Sequence, residues 1–398
     1  MSATYRILED RDFDQFMEVA GTAFAVDTDA RAKMPDFYRR YQRDWTVGAE
    51  ADGRVVATVT TIPLEMFMEG SVLPLGGVTV VSCLPEYRRQ GHVGKLLIMA
   101  LELMKERGQS VGGLYTPHAP LYRRYGWEIC SDRVRHEFQP KQFTLRSAER
   151  PRGRLVKAGM ERWRDFDSVY RRQVERRNGE LVRTKELWWL AFQGSYEFKP
   201  GQTYLWESPE GQVDGFLSIY EQDSHVRGTD VTVRQLIGLT PDATSGLLQT
   251  VLSFDLARNI IWETSLEEPV LDMLSEPLHV NRSLWWQHYL RIVDIPAAFA
   301  LRPCYGQGAV VVEVEDRDCH WNSGRWRLSS DSCRFAAERT NDEPELVCDA
   351  PALAQLFAGY RKPSALAAVG RLSLSTPDVE RLDDLFRTRF LPYTHDFY

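Results

Sequence analysis

The sequence lacks the features that mark several large classes of protein. Nowhere in its 398 residues do about 18 apolar residues run together, the length that a membrane-spanning helix requires. Residues 1–16 are polar and lack the apolar core of a signal peptide. No long basic stretch is present, and 49 Lys and Arg against 56 Asp and Glu give a net charge of -7. We therefore expect a cytoplasmic protein with no membrane and no nucleic-acid partner.

Metal-binding and disulfide patterns are also missing. The six cysteines are scattered without a Cys-x-x-Cys pair, and a chain of this length needs no disulfides to fold, so we expect reduced thiols. The eight histidines form no His-Glu-x-x-His motif and no Cys/His set at metal spacing. The sequence therefore predicts no metal site.

The composition is that of a folded protein with more than one domain. Hydrophobic residues make up 43%, charged residues 26% and aromatic residues 11% of the chain, which excludes disordered and collagen-like proteins. A length of 398 residues predicts two or three packed domains.

The N-terminal part alternates helix and strand patterns. A helix is predicted at 11–24, and β-branched runs predict strands at 54–62 and 77–84, with Gly70 in a turn between them. After the second strand, apolar residues recur at three- and four-residue spacing until Gly108, which predicts a helix that ends there.

The junction between that strand and helix carries a basic, glycine-containing turn, Arg88-Arg89-Gln90-Gly91. Backbone N–H groups at a helix start converge on one point, and a glycine leaves room for a phosphate to approach them. The turn is therefore either a phosphate site or an ordinary β-α junction with solvated arginines.

The passage as a whole resembles the GNAT superfamily of acyl-CoA N-acyltransferases. The turn is followed by a strand-like segment at 110–116 and by Leu121-Tyr122-Arg123-Arg124-Tyr125-Gly126-Trp127, which resembles the tyrosine helix and "Y-G-aromatic" strand of that superfamily. The family pattern R-x-x-G-x-G/A has Val93 in its last place here, with Gly94 one step later. The resemblance implies that acetyl-CoA is bound by Val81, Ser82, Cys83, Arg89, Gln90, Gly91, His92, Val93, Gly94, Pro117 and His118.

One subfamily, the Eis (enhanced intracellular survival) acetyltransferases, is similar in length, in the turn at 85–91, in Ala119-Pro120-Leu121-Tyr122 and in a C-terminal aromatic residue. The implied fold is α+β, with tandem GNAT folds followed by a sterol-carrier-protein-like domain. The corresponding domains are 1–148, which is catalytic, 149–288, a degenerate GNAT unit without an arginine-glycine turn, and 289–398. The resemblance also implies a homohexamer.

Acyl transfer from a thioester to an amine needs a proton donor for the departing thiolate and a base for the amine. The family positions make Tyr122 the general acid and the terminal carboxylate of Tyr398 the base. On the residues alone, Tyr122 is equally well a core aromatic, and chain ends are commonly frayed. An apolar, aromatic end close behind a predicted helix favours an end that is tied down.

Two further residues admit both a catalytic and a structural interpretation. His118 either relays protons or caps a loop. Cys83 would allow a covalent acyl-enzyme, but the sequence offers it no base partner, so we expect direct transfer in a ternary complex.

The predicted acceptor is a primary amine on a polycationic, aminoglycoside-like small molecule or on lysine. An acidic and aromatic cluster that could recognise it, or merely be solvated, consists of Asp27, Asp29, Asp36, Phe24, Phe37, Tyr38 and Trp45. Some family members have an acid in the penultimate place, where this chain has Phe397, with Asp396 one place earlier. The alternative function is a lipid or small-ligand binding protein that uses the C-terminal domain, with the GNAT units as scaffold.

Overall fold

The computed structural model describes residues 3–26, 43–146, 149–193, 201–224, 228–285, 287–330 and 333–398. The chain divides into two compact units. The first comprises Met1–Ser131, His288–Pro392 and Tyr398, and the second comprises Asp132–Gln287 and Tyr393–Phe397. The domain boundaries after 148 and 288 stay predictions, and residue 148 lies outside the described residues.

The described chain combines α-helices with sheets whose strands are mostly antiparallel neighbours, as in an α+β fold. The strands are β1 (Thr4–Ile7), β2 (Thr46–Ala51), β3 (Arg54–Met68), β4 (Ser71–Cys83), β5 (Val111–Tyr115), β6 (Glu128–Ser131), β7 (Val134–Phe138), β8 (Arg154–Lys157), β9 (Asn178–Leu181), β10 (Gln202–Glu207), β11 (Val213–Ser224), β12 (Gly228–Gly238), β13 (Ile260–Thr264), β14 (Asn281–Leu284), β15 (His288–Ile292), β16 (Gly308–Glu315), β17 (Gly324–Ser330), β18 (Phe335–Arg339), β19 (Leu346–Asp349) and β20 (Leu372–Leu374). The α-helices are α1 (Phe13–Ala23), α2 (His92–Glu106), α3 (Ala119–Arg123), α4 (Trp163–Val174), α5 (Lys185–Gln193), α6 (Pro241–Leu252), α7 (Ile295–Leu301), α8 (Ala350–Ala358), α9 (Pro363–Ala368) and α10 (Val379–Leu385).

The first unit is built on a sheet with the strand order β1-β2-β3-β4-β5-β15-β6. Strands β1 to β4 are antiparallel neighbours, β4 and β5 are parallel, and β15 is antiparallel to both β5 and β6. The predicted helices at 11–24 and before Gly108 are confirmed as α1 and α2. Helix α2 packs on β2, β3 and β4 through its apolar face, which positions its N-terminus at the end of β4.

The hairpin of β3 and β4 is longer than predicted. The two strands extend to Met68 and from Ser71, on either side of a turn at Glu69 and Gly70. Gly70 has φ +94, the left-handed conformation that glycine adopts without strain. The short prediction failed because Pro63 and Pro74 interrupt the β-branched pattern, although both residues lie in the paired ladder.

The first unit also contains a second sheet, ordered β18-β17-β16-β19-β20. Its core is filled by four phenylalanine rings that contact one another at centroid distances of 5.3 to 6.0 Å: Phe299, Phe335, Phe357 and Phe386. In the sequence, inward-facing Leu353, Leu356 and Phe357 predict a helix from near Pro351, and Ser375-Thr376-Pro377-Asp378 predicts the start of a last helix; the first is confirmed as α8. The last helix is confirmed but begins later than predicted, because the side chain of Asp378, rather than Ser375 or Thr376, accepts the N-terminal hydrogen bond from Arg381.

The second unit has one sheet, ordered β14-β7-β13-β12-β11-β10-β8. The sequence predicts strands at 203–207, 215–220 and 231–239 followed by a helix at 242–258, and this succession is confirmed as β10, β11, β12 and α6. The helix predicted at 242–258 is too long, since α6 ends at Leu252. Ser253 and Asp255 favour turns over helix, and Leu256, which is 86% exposed, packs on no core that could extend the helix.

Residues 393–397 are held within the second unit by charged contacts. Arg183 Nε lies 3.0 Å from Asp396 Oδ1, and both side chains are almost fully buried. Arg133 donates a 2.8 Å hydrogen bond to the Thr394 carbonyl, and the His395 amide donates one of 3.0 Å to Glu180. The end of the chain is therefore anchored rather than frayed.

Strand β15 was not among the predicted strands, and a buried ion pair fixes it. Arg291 Nη2 lies 2.6 Å from Asp316 Oδ1, and the two side chains are 1% and 2% exposed. The same guanidinium donates to the carbonyl of Tyr125 at 3.0 Å. Because a buried charge is costly without its partner, this pair ties β15 to the loop after β16.

We expect Asp316→Ala to destabilise the protein by about 3–5 kcal/mol, because it leaves the Arg291 charge buried and uncompensated. The exposed pair of Arg317 and Glu315 next to it is the matched control, with side chains 85% and 70% exposed. We expect Glu315→Ala to cost less than about 1 kcal/mol. Chemical unfolding of both variants measures the difference, and equal costs would contradict the proposed importance of the buried pair.

Candidate active site

The basic turn has an unusual backbone, with two residues in the left-handed region directly before the helix. Arg89 has φ +63 and Gly91 has φ +84, and α2 begins immediately afterwards at His92. A non-glycine residue in this region is strained, and such strain is concentrated at functional sites. The first N–H groups of a helix have no intrahelical partner and lie at the positive end of its dipole. The arrangement suits an anion such as a pyrophosphate.

The side chains of the turn divide into those that brace it and those that face solvent. Arg88 Nε donates to the Cys83 carbonyl at 3.2 Å, and Gln90 Nε2 donates to the Glu86 carbonyl at 3.2 Å. Arg89 is exposed. His92 is buried, and its Nδ1 lies 2.9 Å from the Tyr5 hydroxyl. Burial lowers the pKa of His92, so this imidazole is mostly neutral at pH 7 and the turn's positive charge comes from arginine.

Three of the predicted cofactor residues, His92, Val93 and Gly94, lie in the first turn of α2. Val93 is half-buried and Gly94 is buried. A Cβ at Gly94 would lie 1.9 Å from the Tyr125 hydroxyl, so packing against Tyr125 gives this position a reason to be glycine.

Strands β4 and β5 part beside the turn. Their register pairs Leu75 with Val111, Gly76 with Gly112 and Gly77 with Gly113, whereas β4 continues to Cys83. Beyond the paired stretch Val80 has φ +48, and the register of β3 and β4 shifts nearby. A parted strand edge offers backbone groups to an extended ligand. The predicted residues Val81, Ser82 and Cys83 lie on this part of β4.

Of these three residues, two have side chains committed to the protein. Ser82 Oγ lies 2.7 Å from Thr58 Oγ1, and Cys83 Sγ lies 3.5 Å from the Leu84 carbonyl. Burial raises the pKa of the Cys83 thiol, which keeps it protonated and poorly nucleophilic. The geometry therefore favours a role for the backbone at this position over an acyl-cysteine.

Tyr122 is buried in the short helix α3, edge-on to Trp127 at a centroid distance of 6.4 Å. Burial raises the pKa of its phenol to about 12, against a smaller lowering by a hydrogen bond with Thr116. The phenol is thus protonated throughout the physiological range and can donate a proton. Pro117 and His118, which precede α3, are exposed, and the His118 side chain makes no cap hydrogen bond.

Tyr398 lies against strands β4 and β5 of the first sheet. Its hydroxyl is 2.6 Å from His288 Nε2, and its ring is edge-on to Tyr115 at 5.7 Å. A Cβ at Gly77 or Gly113 would come within 2.8 or 2.5 Å of Tyr398 atoms. Tyr398 therefore contacts β4 and β5 at the point where their pairing ends. Tyr122 is hydrogen-bonded to Thr116, the residue after β5.

Sequence reasoning missed the residues that seat Tyr398. His288 and Tyr115 were not candidates, and neither were Gly77 and Gly113. The consecutive glycines at 76–77 and 112–113 were a usable signal, since glycine inside a strand marks the close approach of another group. Nothing local marks His288, which lies 110 residues from Tyr398 in the sequence.

The predicted acceptor cluster is only partly described. Asp27, Asp29, Asp36, Phe37 and Tyr38 lie outside the described residues. Phe24 is 49% exposed, and Trp45 has the Arg107 guanidinium 4.2 Å from its ring centre. Asp396 is paired with Arg183, so its charge is already balanced. Over the described ranges, no group of three or more His, Cys, Asp or Glu could hold a metal ion, and no helix is long and apolar enough to cross a membrane.

The corresponding helix of the second unit is closed to such a ligand. Thr240 caps α6, its side chain accepting from the Ala243 amide, and Pro241 stands in the first turn. Two N-terminal positions of this helix therefore offer no free N–H group, since Pro241 has none and that of Ala243 is already bonded.

Models of known protein families match the chain in three places. An acetyltransferase (GNAT) domain covers residues 4–130, a second acetyltransferase (GNAT) domain covers 179–292, and a sterol carrier protein domain covers 295–395. The chain is a GNAT N-acetyltransferase with two GNAT domains and a sterol-carrier-protein-like C-terminal domain, and its predicted α+β fold class is confirmed.

Similar proteins narrow the class. The chain is 27% identical to an uncharacterized N-acetyltransferase of Streptomyces coelicolor over 94% of both chains, and 26% identical to the N-acetyltransferase Eis of Mycobacterium tuberculosis over 85% of both. Crystal structures of a GCN5-related N-acetyltransferase from Anabaena variabilis and of Eis1 from Mycobacterium abscessus match it with TM-scores of 0.90 and 0.83, at 18% and 22% identity over 100% of each chain. The chain belongs to the Eis-like GNAT N-acetyltransferases.

The glycine at the turn can be tested against a glycine of the same conformation elsewhere. Gly91 has φ +84 and Gly53 has φ +74, and an added Cβ would meet nothing within 4 Å at either position. Alanine in this conformation costs about 1–2 kcal/mol in both places. We expect Gly91→Ala to weaken acetyl-CoA binding in calorimetry, whereas Gly53→Ala lowers stability by a similar amount and leaves binding unchanged. Equal binding by both variants would exclude the turn from the cofactor site.

The raised pKa of Tyr122 predicts how kcat depends on pH in the alkaline range. A phenol of pKa about 12 keeps its proton two pH units further than the usual value near 10. Ionisation of Tyr122 should therefore not lower kcat between pH 8 and 10, and in this range we expect the pH profile of kcat to have the same shape in the unaltered protein and in Tyr122→Phe. If kcat falls in this range in the unaltered protein but not in Tyr122→Phe, Tyr122 is not a buried acid that keeps its proton.

Proposed function

We propose that this N-acetyltransferase transfers the acetyl group of acetyl-CoA directly to a primary amine, on a polycationic, aminoglycoside-like small molecule or on lysine. The observation that carries the proposal is the seat of the terminal residue Tyr398 at the parting of β4 and β5, held by a 2.6 Å contact to His288 Nε2. A chain end that is fixed beside a parted strand edge can present its carboxylate to a reaction there.

The residues around the parting fit acetyl-CoA. The N-terminus of α2, the exposed Arg89 and the left-handed Gly91 form an anion cradle next to the free length of β4. We propose that Arg89, Gln90, Gly91, His92, Val93 and Gly94 hold the pyrophosphate through backbone N–H groups, and that Val81, Ser82, Cys83, Pro117 and His118 line the rest of the path. Acetyl-CoA supplies the acetyl group as a thioester.

In the proposed reaction the carboxylate of Tyr398 accepts one proton and the hydroxyl of Tyr122 donates another. The carboxylate of Tyr398 takes the proton that the amine loses, directly or through a water. The new C–N bond forms at the carbonyl carbon as the C–S bond breaks. The buried hydroxyl of Tyr122 gives its proton to the departing sulfur, and backbone N–H groups of β4 donate to the carbonyl oxygen.

The acceptor is proposed on charge and on the resemblance to the Eis family. A net charge of -7 favours a cationic substrate, although Asp396 does not contribute, since Arg183 neutralises it. The resemblance also supports a cytoplasmic homohexamer as the working state.

The ligand-carrier alternative has less support. The interior of the C-terminal sheet is filled by the phenylalanine cluster and by the buried Arg302, which donates to the Phe357 carbonyl at 2.7 Å. A lipid cavity needs an apolar interior, whereas a buried guanidinium requires polar partners around it.

The proposal is tested by CoA release from an untagged protein with aminoglycosides, polyamines and lysine peptides as acceptors. We expect Tyr122→Phe and deletion of Tyr398 each to lower kcat by about 100-fold or more, the usual loss when a general acid or base is removed. Addition of one glycine after Tyr398 keeps the ring and moves the carboxylate, and should cost as much as the deletion.

Tyr125→Phe, in the same segment as Tyr122, is the control and should retain most of the turnover. Acetyl-CoA binding without turnover on any amine would overturn the acceptor chemistry. Ligand binding that ignores Arg89→Ala, without acetyl-CoA binding, would favour the carrier.

A further inference from the structure

We propose that His288 is a positioning residue for Tyr398, acting with a slot formed by Gly77 and Gly113 that admits the tyrosine ring. The inference rests on the proposed role of the terminal carboxylate and deepens it, because it names what holds that carboxylate in place.

His288 is on a rigid support. It begins β15 and is 3% exposed, and its backbone is paired with Tyr115 of β5 on one side and Ser131 of β6 on the other. Its ring packs on Tyr115 at a centroid distance of 4.8 Å. A donor or acceptor fixed by two strands and a neighbouring ring can orient the group that it contacts.

That group is the hydroxyl of Tyr398. Nε2 and the hydroxyl oxygen lie 2.6 Å apart, and the two rings are edge-on at 5.9 Å. The contact needs tyrosine in particular, since phenylalanine would have nothing to offer the imidazole. One hydrogen bond is similar in size to the cost of ordering a terminal residue, so its loss releases the end.

The slot on the sheet matches the ring. A Cβ at Gly77 would lie 2.8 Å from the Tyr398 ring, and one at Gly113 would lie 2.5 Å from its hydroxyl and 2.8 Å from His288 Nε2. Gly112, which precedes Gly113 on β5 and is paired with Gly76, faces the opposite side, toward Met104 and Trp127. Only the face that carries Tyr115 and His288 is therefore cleared for the terminal residue.

The experiment measures the hold on Tyr398 separately from catalysis. Carboxypeptidase A removes C-terminal aromatic residues, so the rate at which the untagged full-length protein releases free tyrosine reports how often the end leaves its seat. We expect His288→Leu to raise this rate about fivefold or more and to lower kcat by a similar factor, with KM for acetyl-CoA unchanged.

Three further variants separate positioning from general damage. His288→Gln places an amide nitrogen near the position of Nε2 and should restore most of the hold and the turnover. Gly113→Ala should release the end, whereas Gly112→Ala, its matched control on the other face, should not. Tyr398→Phe removes only the hydroxyl, and combining it with His288→Leu should add little, because both remove the same contact.

The outcomes distinguish this inference from the proposed function. If His288→Leu leaves release and kcat unchanged while deletion of Tyr398 abolishes turnover, the positioning role is wrong and the terminal base stands. If release rises while kcat is unchanged and the deletion is also without effect, the terminal base itself is wrong, and the positioning role falls with it.

Discussion

The antiparallel pairing of β15 between β5 and β6 is the constraint on which the first unit depends. This strand is the last segment of the second GNAT domain in the sequence, yet it lies in the sheet of the first unit. Five residues of β15 pair with β5, and the buried ion pair of Arg291 with Asp316 ties β15 to the loop after β16. Because β15 separates β5 from β6, it also sets where the segment of Tyr122 begins and ends.

The parting of β4 and β5 turns this sheet into a site. Parallel pairing stops at Gly77 and Gly113, and β4 runs on for the length of an extended ligand. The strained residue Val80 lies within this stretch of β4, and Arg89 lies in the turn that follows it. Backbone strain survives only where packing enforces it, and here α2 and the β3 ladder supply that packing. The electrostatics then come from a helix terminus and arginine, while burial keeps the phenol of Tyr122 neutral.

The end of the chain belongs to this architecture and is not an appendage. Residues 393–397 are anchored in the second unit by Arg183, Arg133 and Glu180, and Tyr398 belongs to the first unit. Each anchor uses a buried or half-buried charge or hydrogen bond, which is costly to leave unmade.

The sequence by itself determined the local elements and the chemistry of the turn. Apolar spacing predicted α1 and α2, Gly108 marked the end of α2, and Arg89 and Gly91 marked the turn before it, because these signals act over a few residues. The roles of Tyr122 and Tyr398 came from family resemblance and remain proposals. Only the tertiary structure placed β15 in the first sheet and β7 in the second, and set His288 against Tyr398. Those contacts join residues more than a hundred positions apart through hydrogen bonds between strands, and such pairing leaves no periodic pattern in the sequence that could announce its partner.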